Sequence, residues 1–573
     1  MARNKVWLIL GCIAIVFSVL SAACAGTEPA PTPVAPAAPA AAVAPTAAPV
    51  LAPTAMAVAA ATAVAFVTPT RVLPTATPIT IAKYGGTLRY ASEWPLTSEG
   101  MDPAYAVQTE TRRASYLIFD NLVRLAADAS YAPGLASSWD FSADGKTITF
   151  RLVKGAKFHD GTTLDAKAVK WNYDRYRDTT VGSARRSSLA LVTAIEAVDD
   201  STIAFTLSKP VRTIMGDLTD VLGHIVSPTA VQNMKSYSDR NGDFSRKPVG
   251  SGPFKLLEWA PGSRLSVVRN QDYWEKGLPY LDRIDILVAT EQATRFAMLR
   301  TNEIDFTERM TPSDALAGMK DPSIRITEFK GSRYTGIKFR VTSPPWDNKN
   351  LRLAVAYALD RKKVINVLYE GVGVPAYAPI GPAYGVWYDA NFKVNDYDVQ
   401  KAKQKLTDAG YPSGLTVTVY CDGSSDNLLE CETYQAMLAA VGITMKISTV
   451  PAGTSFSELQ AGRVDATPSG ISSRAAPSGN LERWYHSKGA STVAYKIGYN
   501  NPAYDKLIDD ALGIYDIAKA RVLYLQAQQI LAEDAPDVFA VHQSLFYGAR
   551  AAVQNLAPRL DNVPRMQELW IAR

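Results

Sequence analysis

Phe158-His159-Asp160-Gly161 sets an imidazole beside a carboxylate, the pairing that general acid/base catalysis uses. Adjacent side chains diverge, however, and Asp-Gly after a strand marks a turn, so a structural role is the stronger reading. Gly371-Val372-Gly373-Val374-Pro375-Ala376 spells a loose dinucleotide fingerprint. It follows a helical stretch, contains Pro375 and opens no helix whose N-terminus could receive a pyrophosphate, so it is rejected. The sequence has no phosphate-cradling loop closing on Lys-Ser/Thr, no nucleophile-elbow pentapeptide and no His-Glu-x-x-His. Its four histidines, at 159, 224, 486 and 542, lack metal-ligand spacing, and neither a metal nor another cofactor is expected. A hydrolase of peptides or esters would need a nucleophile and a base at recognisable spacing, and none is found. The expectation is a protein that binds without catalysing.

Cys421 and Cys431 remain. One ends a predicted strand and the other lies near the start of the following helix, and a helix returning over its own strand can bring two sulfurs within bonding reach. In an exported protein a disulfide is expected there, with two buried thiols as the alternative. The surrounding elements read as strand 415–420, helix 427–441 stopped by Gly442, strand 443–450, helix 455–461 stopped by Gly462, and strand 463–470. This alternation predicts parallel βαβ units, whose ligands lie beyond the carboxyl ends of the strands. That points to Cys421-Asp422-Gly423 and Ser472-Ser473-Arg474. Ahead of them, Leu351, Ala354, Val355 and Ala358 follow helical spacing after a cap at Asp347, and a second helix runs from near Asp360 to Gly371. Both look like core-packing helices. Earlier still, residues 147–152 and 202–207 place an Ile, a Phe and a Leu on one face at period two, which predicts a half-buried antiparallel sheet in a subdomain of its own. The first strand is read at 86–90.

The whole chain has 573 residues, 47% of them hydrophobic, with Lys+Arg 60 against Asp+Glu 55. So mixed a surface carries no nucleic-acid footprint, and such a length requires two or more cores. Residues 1–23 combine a short basic start, an uncharged run from Val6 to Ala23 and small residues before Cys24, the pattern of a secretory signal. Leu20-Ser21-Ala22-Ala23-Cys24 resembles a bacterial lipobox, which implies lipidation of Cys24; an uncleaved signal anchor is the alternative. Residues 24–83 are nearly all Ala, Pro, Thr and Val and read as a tether, because such a segment cannot bury enough varied apolar surface to offset its ordering entropy. The expected location is the periplasm or the outer face of the cell membrane.

Several segments match one family in order: Gly85-Gly86-Thr87-Leu88, Asp102-Pro103, Ile118-Phe119-Asp120-Asn121-Leu122-Val123, Pro133-Gly134-Leu135-Ala136-Ser137-Ser138-Trp139, Phe158-His159-Asp160-Gly161, Val249-Gly250-Ser251-Gly252-Pro253-Phe254, Tyr273-Trp274 and Tyr357-Ala358-Leu359-Asp360-Arg361. The chain after the tether thus resembles the family 5 extracellular solute-binding proteins, the dipeptide, oligopeptide and nickel-chelate receptors of ABC importers. The resemblance implies an α/β, two-lobed periplasmic-binding-protein-like fold of the class II type with an extra α+β subdomain on lobe 1. Lobe 1 would span 84–340 with the subdomain near 131–248, lobe 2 would span 341–538, and 539–573 would return to lobe 1. It also implies a monomer that captures a small organic solute, peptide-like in the first instance, and delivers it to ABC permease subunits. A metal chelate, a sugar or another metabolite is the alternative ligand, and sensing without transport the alternative role.

In peptide-binding members of the family a carboxylate in the loop after a second-lobe strand pairs with the peptide's amino terminus. The matching stretch here, 472–477, has no acid and offers Arg474, which implies an anionic or carbonyl-rich ligand because a guanidinium pairs with carboxylates through paired donors. With Ser472 and Arg474, the aromatic residues Trp94, Tyr334, Tyr384, Trp387 and Trp484 are the expected cleft lining.

Overall fold

The structure, a computed structural model, describes residues 83–573 apart from 94–99, 107–108, 212, 452–453, 473, 475, 558 and 561–562. Cys24 and Trp94 therefore lie outside the described residues. A nine-stranded sheet is the frame. Its main strands are β1 (Thr87–Ser92), β2 (Phe254–Ala260), β3 (Arg264–Arg269), β4 (Arg283–Val288), β5 (Phe306–Met310), β6 (Ile324–Phe339), β7 (Ala466–Ser472) and β8 (Asp537–Arg550). They lie in the order β7-β6-β8-β5-β1-β4-β3-β2, with the short strand Val374–Pro375 added on β8. β1 is parallel to β4 and β5, and the remaining pairs are antiparallel.

β6 and β8 cross between the lobes. One half of β6 pairs Ile324 to Phe329 with Arg550 to Leu545, and the other pairs Arg333 to Lys338 with Gln543 to Asp537. Between the halves the register shifts, and Gly331 there sits at φ 78°, a left-handed conformation that a side chain resists. A Cβ at Gly331 would also strike Pro382 Cδ at 2.6 Å.

The subdomain carries its own four-stranded antiparallel sheet, ordered Ala136–Phe141, Thr147–Leu152, Thr202–Leu207, Val192–Asp199. Ile148 opposes Phe205 and Phe150 opposes Ile203. All four are fully buried, as period-two alternation requires, while the intervening residues face outward in part. Helix Ala166–Arg177, capped by the Asp165 carboxylate, covers that face, with Tyr173 set edge-on to Phe205 at 4.8 Å.

In the second lobe, strands Leu415–Asp422 and Ile443–Val450 are parallel neighbours joined by helix Ser425–Ala439. This is the expected βαβ unit. The third strand departs from expectation: it runs Ala466–Ser472, later than 463–470, and hydrogen-bonds antiparallel to β6 and to no strand of the parallel pair. Two features account for this. The far half of β6 has one edge filled by β8 and the other open, and Arg463 is held back by the Glu458 carboxylate while the Asp465 carbonyl receives the Arg340 N–H. Helices Lys349–Ala358 and Arg361–Tyr369, capped by Asn348 and Asp360, pack on the same core.

Cys421 and Cys431 are joined as a disulfide, their Cα atoms 6.5 Å apart and both residues fully buried. Thiol titration of the unfolded, unreduced chain should find neither sulfur free, and reduction should release both. Two reactive sulfurs before reduction would refute the pairing.

Candidate interlobe ligand site

A cavity of about 840 Å³ opens between the subdomain and the second lobe. One wall comes from helix Thr213–Leu218 and its flanks, with Ile214, Gly216, Asp217 and Asp220. The other comes from the end of β7 and helix Ser478–Tyr485, with Ser472, Arg474, Glu482, Arg483 and Trp484. Helix Thr213–Leu218 buries Met215 and Leu218 in the subdomain core, while Ile214 and Asp217, three positions apart on one face, border the cavity. Helix Ser478–Tyr485 likewise buries Leu481 and Tyr485, and Glu482 and Arg483 follow onto the cavity side.

Of the residues expected to line a cleft, Ser472, Arg474 and Trp484 meet around this cavity. Tyr384 stands behind it: it is fully buried, and its hydroxyl receives the Arg474 backbone N–H at 3.1 Å, which holds Arg474 beside the cavity. Tyr334 and Trp387 are core residues that do not line it. The Tyr334 hydroxyl bonds that of Tyr485 at 2.8 Å, and Trp387 stands edge-on to Tyr524. Trp484 stacks on Tyr495 at 5.2 Å with 9° between the planes, and the Lys338 ammonium lies 4.8 Å from the Trp484 ring centre. That ammonium bonds Asp537 Oδ2 at 2.6 Å, deep in the interior, so the aromatic wall rests on a buried ion pair.

Sequence reasoning missed the acids. Burial, and next the charge of Asp220, push the Asp217 carboxyl up to about 7, and burial raises Glu482 as well. The cavity thus offers guanidinium donors from Arg474 and Arg483 and carboxylate acceptors from Asp217, Asp220 and Glu482. Such a surface can hold a ligand bearing both an acidic and a basic group. The available sequence signal was Asp217 and Asp220, three apart within an otherwise apolar run.

His159 and Asp160 do structural work. Gly161 N–H closes the turn on the Phe158 carbonyl, and Asp160 Oδ1 accepts from the Thr162 N–H and hydroxyl at 3.0 and 2.6 Å. Asp160 Oδ2 receives the Ser227 hydroxyl, whose oxygen caps helix Pro228–Asn233. Burial depresses His159 to about 4, so the ring is neutral, with Nε2 3.0 Å from the Gly252 carbonyl. Asp160→Ala should cost about 1–2 kcal/mol in urea unfolding and leave ligand affinity unchanged. A loss of affinity without a loss of stability would give Asp160 a role in binding.

Two lobes joined by crossing strands around a cavity, with a subdomain on the first lobe, define a solute-binding protein. The chain belongs to the bacterial extracellular solute-binding proteins, family 5, whose middle region matches residues 130–492. It is 28% identical over 458 residues to the glutathione-binding protein GsiB of Pectobacterium atrosepticum, covering 78% of this chain and 87% of that one. Among solved structures it is similar to the periplasmic binding protein DppA of Helicobacter pylori in complex with the peptide STSA, with TM-score 0.71, 27% identity and coverage of 86% and 99%. It is also similar to AgaA of A. tumefaciens R10 in complex with agropinic acid, with TM-score 0.68, 26% identity and coverage of 85% and 99%.

Proposed function

We propose that this protein is the substrate-binding component of an ABC importer, that it encloses a small peptide-like solute in the interlobe cavity, and that it passes the solute to membrane permease subunits. The observation that carries this reading is the cavity of about 840 Å³ with guanidinium groups on the second-lobe wall and carboxyl groups on both walls. A zwitterion is the ligand such walls complement, and relatives described as binding glutathione or a peptide support the same class. Closure of the lobes about the break at Gly331 buries the solute and creates the surface a permease recognises. Ser472, Arg474 and Trp484 touch the solute, Arg474 taking an acidic or carbonyl group, while Tyr384 holds Arg474 beside the cavity. No reaction is carried out. The protein works as a monomer at the outer face of the membrane, tethered by lipid on Cys24.

Native mass spectrometry of gently purified protein, followed by calorimetric titration with glutathione and short peptides, tests the reading. A retained peptide-like mass and micromolar binding are expected, which corresponds to about −8 kcal/mol. A retained sugar or metal chelate, with no peptide bound, would overturn it.

A further inference from the structure

Arg333 opens the far half of β6, immediately after the register break. Among the described residues its guanidinium takes part in no hydrogen bond and no ion pair, and its Nε is shielded from solvent. It lies flat across Gly470, where a Cβ would fall 1.6 Å from Nη2, so glycine is required there for the arginine to fit. Gly470 in turn lines the cavity. A guanidinium keeps its proton, and this one is half-buried: Nε is shielded while the two Nη atoms remain open to solvent, so the charge is partly desolvated without a counter-ion. Burial is the main force against its charge, and Arg309 adds repulsion; Tyr369 and Glu430 act only through space. Glu430 is a weak counter-ion, because burial pushes its carboxyl up to about 7 and the Tyr434 hydroxyl occupies Oε1 at 2.6 Å.

The surroundings sharpen the imbalance. Arg309 Nε meets Glu93 Oε2 at 3.1 Å, Arg295 approaches the same oxygen at 3.5 Å, and Arg113 pairs with Glu308. Three arginines thus share two glutamates at the carboxyl ends of the parallel strands β1 and β5, where sheets of this kind receive ligands, and the charge of Arg309 reaches Arg333. We infer that Arg333 is a second anion anchor of the cleft, which takes a carboxylate of the solute through paired N–H donors, so that the ligand class is an acidic peptide-like molecule. This rests on the interlobe reading above.

Two measurements on the full chain decide it. First, ligand-free R333Q should melt above the ligand-free wild type in scanning calorimetry, because an unpaired charge has been removed. A lower melting temperature would mean that Arg333 holds the fold together, and the inference would fail. Second, short peptides in matched free-acid and C-terminally amidated forms are titrated into wild type, R333Q and R333K. Wild type should prefer the free acid by on the order of a hundredfold, R333Q should lose that preference, and R333K should keep part of it. Equal binding of acid and amide by wild type, or an undiminished preference in R333Q, overturns the assignment. If wild type binds neither form, the peptide reading is what has failed, and the melting comparison alone judges Arg333.

Discussion

Asp537→Ala should destabilise the folded protein by about 3–5 kcal/mol, the usual cost of stripping one partner from a buried ion pair. Asp537 and Lys338 are both shielded from solvent and face each other across β6 and β8. Asp537 Oδ2 takes the Lys338 ammonium at 2.6 Å and the Tyr485 hydroxyl at 2.8 Å, while Oδ1 takes the Ser469 hydroxyl at 3.2 Å. Among the described residues, removing the carboxylate leaves the ammonium with only the faces of Trp484 and Tyr485. Cation–π attraction of about 2 kcal/mol cannot replace a full charge partner in the interior. Urea unfolding followed by far-ultraviolet circular dichroism gives the loss. The paired replacement of Lys338 by Met and Asp537 by Leu should recover most of it, since two apolar side chains leave no stranded charge. Because Trp484 lines the cavity and rests on Lys338, the single variant should also bind solute more weakly. A loss below about 1 kcal/mol would mean that water reaches the pair and that it does not brace the wall.

This pair also marks where sequence reading stops. Lys338 and Asp537 sit in strands nearly two hundred positions apart, and a lone lysine between Ile337 and Phe339 reads as an outward-facing residue. Only pairing of β6 with β8 turns it inward against an acid. Elements set by local periodicity were legible. Strand Ile443–Val450 and helix Ser455–Ala461 fall where expected, and the subdomain strands bury the Ile, Phe and Leu that alternation singled out. The partner of β7 was not legible, because an open edge on β6 is a property of the assembled sheet. Within the site, Ser472 and Arg474 could be found from the rule that ligands lie beyond strand ends. Tyr334 and Trp387 show the limit of residue type, since an aromatic ring suits a core as well as a cleft. Asp217 and Glu482 lie in separate lobes of the sequence and become neighbours only through tertiary folding. The family motifs were legible for a different reason: Asp102 of Asp102-Pro103 forks onto Arg175 at 3.0 and 2.6 Å in full burial, a structural demand that any ligand would leave in place.

Asp217→Asn should stabilise the ligand-free protein above pH 7 and weaken solute binding there. Asp217 titrates near 7 in the folded chain because of burial and then Asp220, against about 4 when unfolded. Between those values the folded state holds a proton that the unfolded state has released. Folding stability attributable to this group therefore falls as pH rises from about 4 to 7 and stays low above it, by at most about 4 kcal/mol if the whole shift is expressed. D217N lacks the titration. Wild type and variant should have matching stability near pH 4, and the variant should unfold at higher urea at pH 8. Three other charged groups act on Asp217: Glu482 and Asp220 raise it further, and Arg185 opposes them. A solute ammonium placed among these carboxyls would pull Asp217 back to its charged form. Wild-type affinity for an amine-bearing peptide should then rise through pH 7, while that of D217N should be flatter and about tenfold lower at pH 8. Equal affinity of the two proteins from pH 5.5 to 8.5 would remove the acidic wall from the site. A stabilising substitution that damages binding is the signature of a charge kept for its ligand, since a carboxylate serving the fold would cost stability when neutralised.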